Sequence, residues 1–128
     1  MFHAKLNERE KKSIYKGVIT LMPIIHVEGY HSFKAEQGKK LVLALEDNGV
    51  DILHRCGGNA RCTTCICEIV EGEVEPIGEA EAGIREKKGI TAPNLRLSCQ
   101  IRIEKDIKVK PLRTATSEQM DPGKRPEE

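Results

Sequence analysis

The chain has 128 residues, enough for one hydrophobic core and too few for two comfortable ones, because a chain of this size buries roughly two-thirds of its unfolded surface. Its 21 basic and 20 acidic residues leave a formal charge of +1, aromatics are 3% and Trp is absent, so the cationic surplus and the stacking platforms of a nucleic-acid binder are both missing. Charged residues at 32% against 38% hydrophobic ones describe a polar chain that still folds.

Residues 1–14 read as a charged N-terminal extension in which Lys5, Arg9, Lys11 and Lys12 are mixed with Glu8 and Glu10. The extension has neither the apolar run of a secretory signal nor the acid-poor character of a transit peptide, which points to the cytoplasm. Residues 15–112 carry the elements of one domain. Gly17–Met22 and part of Ile24–Lys34, rich in Val, Ile, Tyr and Phe, predict a pair of strands, with Pro23 and Glu28-Gly29 as rival turns. The apolar stretch from Val18 to Val27 is interrupted by Thr20, Pro23 and His26 and falls far short of the ~20 apolar residues of a membrane-spanning helix, so no span is expected.

Lys39–Asn48 places Leu41, Ala44 and Leu45 at helical spacing and stops at Asn48-Gly49, which predicts an amphipathic helix. Ile66–Val70 predicts a short strand. Glu79–Lys88 predicts a second helix with Ala80, Ile84 and Lys87 on one stripe, weakened by Gly83. Leu95, Leu97, Cys99, Ile101 and Ile103 alternate with polar residues, the pattern of a half-buried strand; after Glu104-Lys105-Asp106, Ile107 and Val109 continue it. Residues 113–128 hold no large aliphatic residue except Met120 and read as a disordered tail. Short strands outnumbering short helices predict an α+β domain around a small mixed sheet.

The chemistry is concentrated in five cysteines. With an odd count and no export signal, metal binding or redox chemistry is favoured over a disulfide framework. Cys56, Cys62 and Cys65 form a C-x5-C-x2-C loop, and Cys99 follows with 33 residues between it and Cys65. Cys99 lies on the apolar side of its predicted strand, so its sulfur is expected to point inward. Three local thiolates and one distant one is the plan of a plant-type [2Fe-2S] site, here with the first gap one residue longer. Gly57 and Gly58 admit close backbone approach, Ala60, Thr63 and Thr64 keep bulk away, and Arg55 and Arg61 offset negative charge or are simply solvated.

On this loop and the segment Arg96-Leu97-Ser98-Cys99-Gln100, the sequence resembles the [2Fe-2S] ferredoxins, in particular the adrenodoxin-like and bacterial iron–sulfur-assembly branch. The resemblance covers about residues 17–111, with Lys39–Asn48 as the helix before the loop. It implies a β-grasp fold, a mixed sheet with a packed helix and a cluster-binding loop near the surface at one end. The chain departs from adrenodoxin-like proteins in a shorter span between Cys65 and Cys99 and in lacking their strong acidity.

The function so implied is that of a soluble one-electron carrier, not an enzyme. Cys56, Cys62, Cys65 and Cys99 would bind the iron of a [2Fe-2S] cluster that passes electrons from a reductase to an acceptor protein. Two alternatives stand beside it: a ferredoxin serving iron–sulfur assembly, and a zinc-stapled binding module whose usual paired C-x2-C halves are missing. Cys67 is read as a small buried hydrophobe, or, under the assembly reading, as a participant in cluster transfer.

The partners implied are redox proteins, namely a flavoprotein reductase, an oxygenase or the assembly machinery. Between Glu68 and Glu81 lie six acids and no Lys or Arg, a segment that either docks their basic faces or is merely solvated. His3, His26, His31 and His54 have no mutual metal-ligand spacing; His54, two residues before Cys56, is the one placed to tune a cluster.

Overall fold

A computed structural model of the protein describes residues 12–15, 18–55, 57, 59 and 63–128; for 12–15 and 18–21 the description is of the backbone alone. The first element, β1 (Lys12–Tyr15), pairs antiparallel with β2 (Val18–Leu21) in a two-stranded sheet of their own. The boundary expected after residue 14 therefore falls inside a strand.

The expected pairing of Gly17–Met22 with Ile24–Lys34 does not occur. Ile24–Lys34 instead folds on itself: β3 (Ile24–Val27) and β4 (Ser32–Lys34) form the hairpin through the turn that contains Glu28-Gly29, while Pro23 separates the two sheets. Proline has no amide proton to donate to a ladder, so it serves here as a break and not as the tip of the hairpin.

The main sheet runs β4-β3-β7-β5-β6, where β5 is Ile66–Glu71, β6 is Leu95–Leu97 and β7 is Ile107–Pro111. Only β3 and β7 are parallel, so the sheet is mixed. Helix α1 (Leu41–Asp47) packs on it, and α2 (Glu79–Lys87) carries acids in its first turn and Arg85 and Lys87 in its last, the order its dipole favours. This is the β-grasp arrangement of an α+β domain. Among the described residues no helix is long and apolar enough to cross a membrane.

Helix α1 is more deeply set than its spacing suggests. Leu41, Val42, Leu43, Ala44 and Leu45 are all buried, because segments cover both sides of the two turns. Leu41 N–H donates to Ile101 O on one flank, and Val50, Ile52 and Leu53 complete the core. Burying each leucine contributes on the order of 1.5–3 kcal/mol, which anchors the helix that leads into the cysteine loop.

The long strand expected over Leu95–Ile103 is also divided. β6 ends at Leu97, and Ser98–Gln100 forms a single 3-10 turn. The ladder with β5 pairs Ile66 with Leu97 and Glu68 with Leu95, so beyond Leu97 no partner strand continues and the chain is free to turn.

Residues 113–128, whose composition predicts a disordered tail, fold back on the domain in the structure. They include α3 (Ala115–Glu118), whose Thr114 hydroxyl accepts from Ser117 N–H while the Ser117 hydroxyl accepts from Thr114 N–H. Asp51 holds the start of this helix through Ala115 N–H, Thr116 N–H and the Thr116 hydroxyl. Composition alone cannot register a segment anchored by polar contacts to distant residues rather than by apolar ones.

Candidate functional site

The antiparallel register of β5 and β6 determines which cysteines can meet. Pairing Ile66 with Leu97 puts residues 65 and 98 at the same end of the ladder. Ser98 clamps that end: its N–H and its hydroxyl both donate to Cys65 O, at 3.1 and 2.8 Å. The 3-10 turn then swings Cys99 beside Cys65, and each thiol is 1% exposed. Cys99 thus reaches the site by a turn beyond its strand and not, as its alternation suggests, from the strand face. Cys56 and Cys62 lie outside the described residues.

The Cys99 contact, and after it burial, push the Cys65 thiol well above its usual range. Two sulfurs shut away from water suit a soft cation, which binds sulfur in preference to oxygen. The Gln100 side-chain amide donates to Cys99 Sγ at 3.4 Å, a contact that favours the sulfur as an electron-rich acceptor. The donor set suits iron and sulfide.

The loop before Cys65 is tied at several points. Thr64 Oγ1 accepts from Arg55 N–H at 2.9 Å, and Gly57 N–H donates to His54 O at 2.9 Å. Gly57 has φ of +68°, a left-handed turn that glycine adopts without the strain a side chain would bring. His54 is 1% exposed, and its Nε2–H donates to Glu46 Oε2 at 3.0 Å, since a carboxylate only accepts. Its Nδ1 is buried with no partner among the described residues, which leaves a polar atom two residues before the first cysteine of the loop. Arg55, expected to offset charge at the loop or to be simply solvated, is exposed, and its guanidinium donates to Asp121 O at 2.8 Å.

Cys67 is 0% exposed in the middle of the sheet, paired with Arg96 and Pro111, and burial pushes its thiol up to about 12. It belongs to the hydrophobic core, in agreement with its reading as a small buried hydrophobe.

A buried ion pair that local patterning does not reveal stands behind the Cys99 turn. Arg96, expected on the polar face of an alternating strand, is 4% exposed and forks onto Glu81 of α2, with Nε to Oε2 at 2.7 Å and Nη2 to Oε1 at 2.9 Å. Glu81 Oε2 also accepts from Leu97 N–H, and Arg96 Nη1 donates to Glu75 O. One carboxylate thereby locks α2 to the last residue before the 3-10 turn.

The same contacts thin out the acidic segment. Glu81 is buried, Glu75 accepts from Arg102 N–H, Glu73 faces Lys105, and Lys108 and Lys110 lie beside Glu71 and Glu68 across the β5–β7 ladder. Glu71, Glu73 and Glu79 are the acids of the segment that remain exposed.

Comparison with known proteins adds three findings. The family model of the 2Fe-2S iron-sulfur cluster binding domain matches residues 25–104. Among curated relatives, a component of the Na(+)-translocating NADH-quinone reductase of Pseudomonas aeruginosa (strain UCBPP-PA14) is 34% identical over 101 residues, 77% of this chain and 23% of that protein; the chain thus spans about a quarter of that relative's length. The 2Fe-2S ferredoxin of Pseudomonas aeruginosa (strain ATCC 15692) is 37% identical over 70 residues, 53% of this chain and 62% of that one. Among solved structures, the ISC-like [2Fe-2S] ferredoxin from Pseudomonas putida JCM 20004 superposes with a TM-score of 0.59 at 25% identity, covering 70% of this chain and 91% of that one.

Proposed function

The chain belongs to the family of 2Fe-2S iron-sulfur cluster binding domains and its cofactor is a [2Fe-2S] cluster; from that premise we propose that it is a cytoplasmic one-electron carrier whose ligands are Cys56, Cys62, Cys65 and Cys99. The observation that carries this reading is the contact of the buried Cys65 and Cys99 thiols, two residues far apart in sequence that the β5–β6 register delivers to one point. When bound, the cluster accepts and returns a single electron. The chain's own part is to exclude water from that pair, to hold Cys65 in place through Ser98, and to offer the Gln100 amide to the sulfur of Cys99. Such donors and the degree of exposure set the potential, of order −400 mV if the plant-type figure applies.

Metal analysis and magnetic resonance of the reconstituted protein test the proposal. The expected result is two irons with acid-labile sulfide, a red-brown colour, and a signal from the one-electron reduced cluster. A colourless chain holding a single zinc would overturn it in favour of a stapled binding module. The carrier reading is preferred to service in cluster assembly because Cys67, the residue that singles out assembly, is fully buried within the sheet.

Partners of a carrier bind briefly, and here the docking surface is read as the exposed acids Glu71, Glu73 and Glu79 against a basic face of a reductase, oxygenase or assembly protein. Charge reversal in a Glu71→Lys/Glu79→Lys double variant is expected to slow reductase-driven reduction about tenfold at low salt, with the difference vanishing when screening shortens the Debye length to about 3 Å near 1 M salt. Equal rates at low salt would remove the segment from docking.

A further inference from the structure

We infer that residues 121–125 act as a clasp on the Cys56 end of the cysteine loop, so that retention of the cluster depends on this segment and its displacement is the route by which the cluster is released. The inference rests on the cluster reading above.

The described residues flanking Cys56 that the clasp engages are His54, Arg55 and Gly57. His54 N–H donates to Pro122 O at 2.9 Å, and Arg55 Nη1 donates to Asp121 O at 2.8 Å. Gly123 lies so close to the loop that a Cβ on it would stand 2.8 Å from Arg55 Cα and 3.0 Å from His54 O, and its φ of +100° is one that side chains rarely adopt. Lys124 covers Gly57, its Cβ 3.7 Å from where a Cβ on that glycine would be.

Arg125 closes the arrangement from the far side. Its Nη1 reaches Glu46 Oε1 at 2.7 Å and Asp47 Oδ1 at 2.9 Å on α1. Glu46 in turn accepts from the His54 ring, so the tail, the helix and the residues leading to Cys56 form one chain of contacts. Lys39 and then Arg125 hold the Asp47 carboxyl below its ordinary range.

Residues 121–125 bury no side chain fully; Pro122 is half-buried and Pro126, just beyond, is buried. α3 buries no residue, and the Arg125 pairs are partly exposed, so salt and competing partners weaken them. A segment held by few apolar contacts opens well before the core does. Its upstream end is better fixed. Burial would raise the Asp51 carboxyl, but hydrogen bonds from Thr116 and Tyr30 outweigh this and hold it below its ordinary range, which keeps the upstream side attached; downstream, Pro126 is buried and Lys40 Nζ donates to Glu127 O at 2.6 Å, contacts that part when residues 121–125 swing.

The test uses the full chain loaded with its cluster and two variants, Gly123→Val and Arg125→Gln. Gly123→Val is expected to speed proteolysis within residues 114–128 and to speed cluster loss to a chelator, followed by the fading of visible absorption, by about tenfold, equivalent to about 1.4 kcal/mol. Arg125→Gln is expected to move both readouts in the same direction by less. The thermal midpoint of the cluster-free chain should change little, which separates a clasp from a general loss of stability. A released tail with an unchanged cluster lifetime overturns the proposal, as does a tail no easier to cleave in either variant. If Gly123→Val does not fold, Arg125→Gln carries the same pair of readouts. A wild-type chain that takes up no [2Fe-2S] cluster defeats the ligand reading itself, a result distinct from loss of the clasp alone.

Discussion

Replacing Cys99 with serine is expected to leave a folded chain that no longer retains its cluster. Cys99 sits 1% exposed in contact with Cys65, on a 3-10 turn whose position is set by β6 on one side and by the Ser98 clamp on the other. A serine oxygen is a harder ligand with a shorter bond to iron, and the turn has little freedom to bring it closer. Iron content should fall from about two per chain to well under one, since serine does not reproduce the four-thiolate plan. Cys67→Val is the control: a volume-conserving change at a core position, expected to keep the full spectrum at a cost below about 1.5 kcal/mol. Iron analysis, visible absorption and magnetic resonance of the two variants side by side make the measurement. A full and equally reducible diiron centre in Cys99→Ser would take residue 99 out of the ligand set.

The second large effect lies away from the sulfurs. Glu81→Ala should destabilise the chain by about 3–5 kcal/mol, because it leaves the Arg96 guanidinium buried and unpaired and also removes the acceptor of Leu97 N–H. Against a total of about 5–15 kcal/mol for a domain, that is a large share, and the thermal midpoint is expected to drop by roughly 10–20 °C. Cluster retention should fall with it, since Leu97 is the last residue before the turn that carries Cys99. The double variant Glu81→Leu/Arg96→Met is expected to recover most of the loss, because an apolar pair of similar volume carries no desolvation penalty. Chemical denaturation of the two singles and the double, read as a cycle, isolates the pair term. A single variant within about 0.5 kcal/mol of wild type would mean that the pair does not bear on stability.

Local order is legible where neighbours in sequence are also neighbours in space. The helix before the loop is expected over Lys39–Asn48 and spans Leu41–Asp47; the second is expected over Glu79–Lys88 and spans Glu79–Lys87. Cys67 as a core residue follows from strand parity, and the four-cysteine plan from spacing alone. A helix closes its hydrogen bonds within four residues and a strand alternates with period two, so both leave their mark on a short window.

Local patterning fails where a distant partner decides. Lys12–Tyr15 is a strand because Val18–Leu21 pairs with it, and the alternating run from Leu95 stops at Leu97 because the ladder with β5 ends there. Arg96 has the pattern of a solvent-facing residue, yet Glu81, on another element, supplies the charge that permits its burial.

The sequence by itself determined where the candidate sulfur donors lie, with three of them inside one stretch of ten residues and the fourth far downstream. Only the tertiary structure decided how Cys99 is carried toward Cys65, which acids of the segment stay exposed, and that residues 121–125 contact His54, Arg55 and Gly57. The physical reason is one of range. Ligand type and local periodicity are properties of the chain at each point, whereas register, ion pairing and the docking of the tail depend on loop closures of tens of residues, whose outcome is set by the whole fold and leaves no periodic trace along the chain.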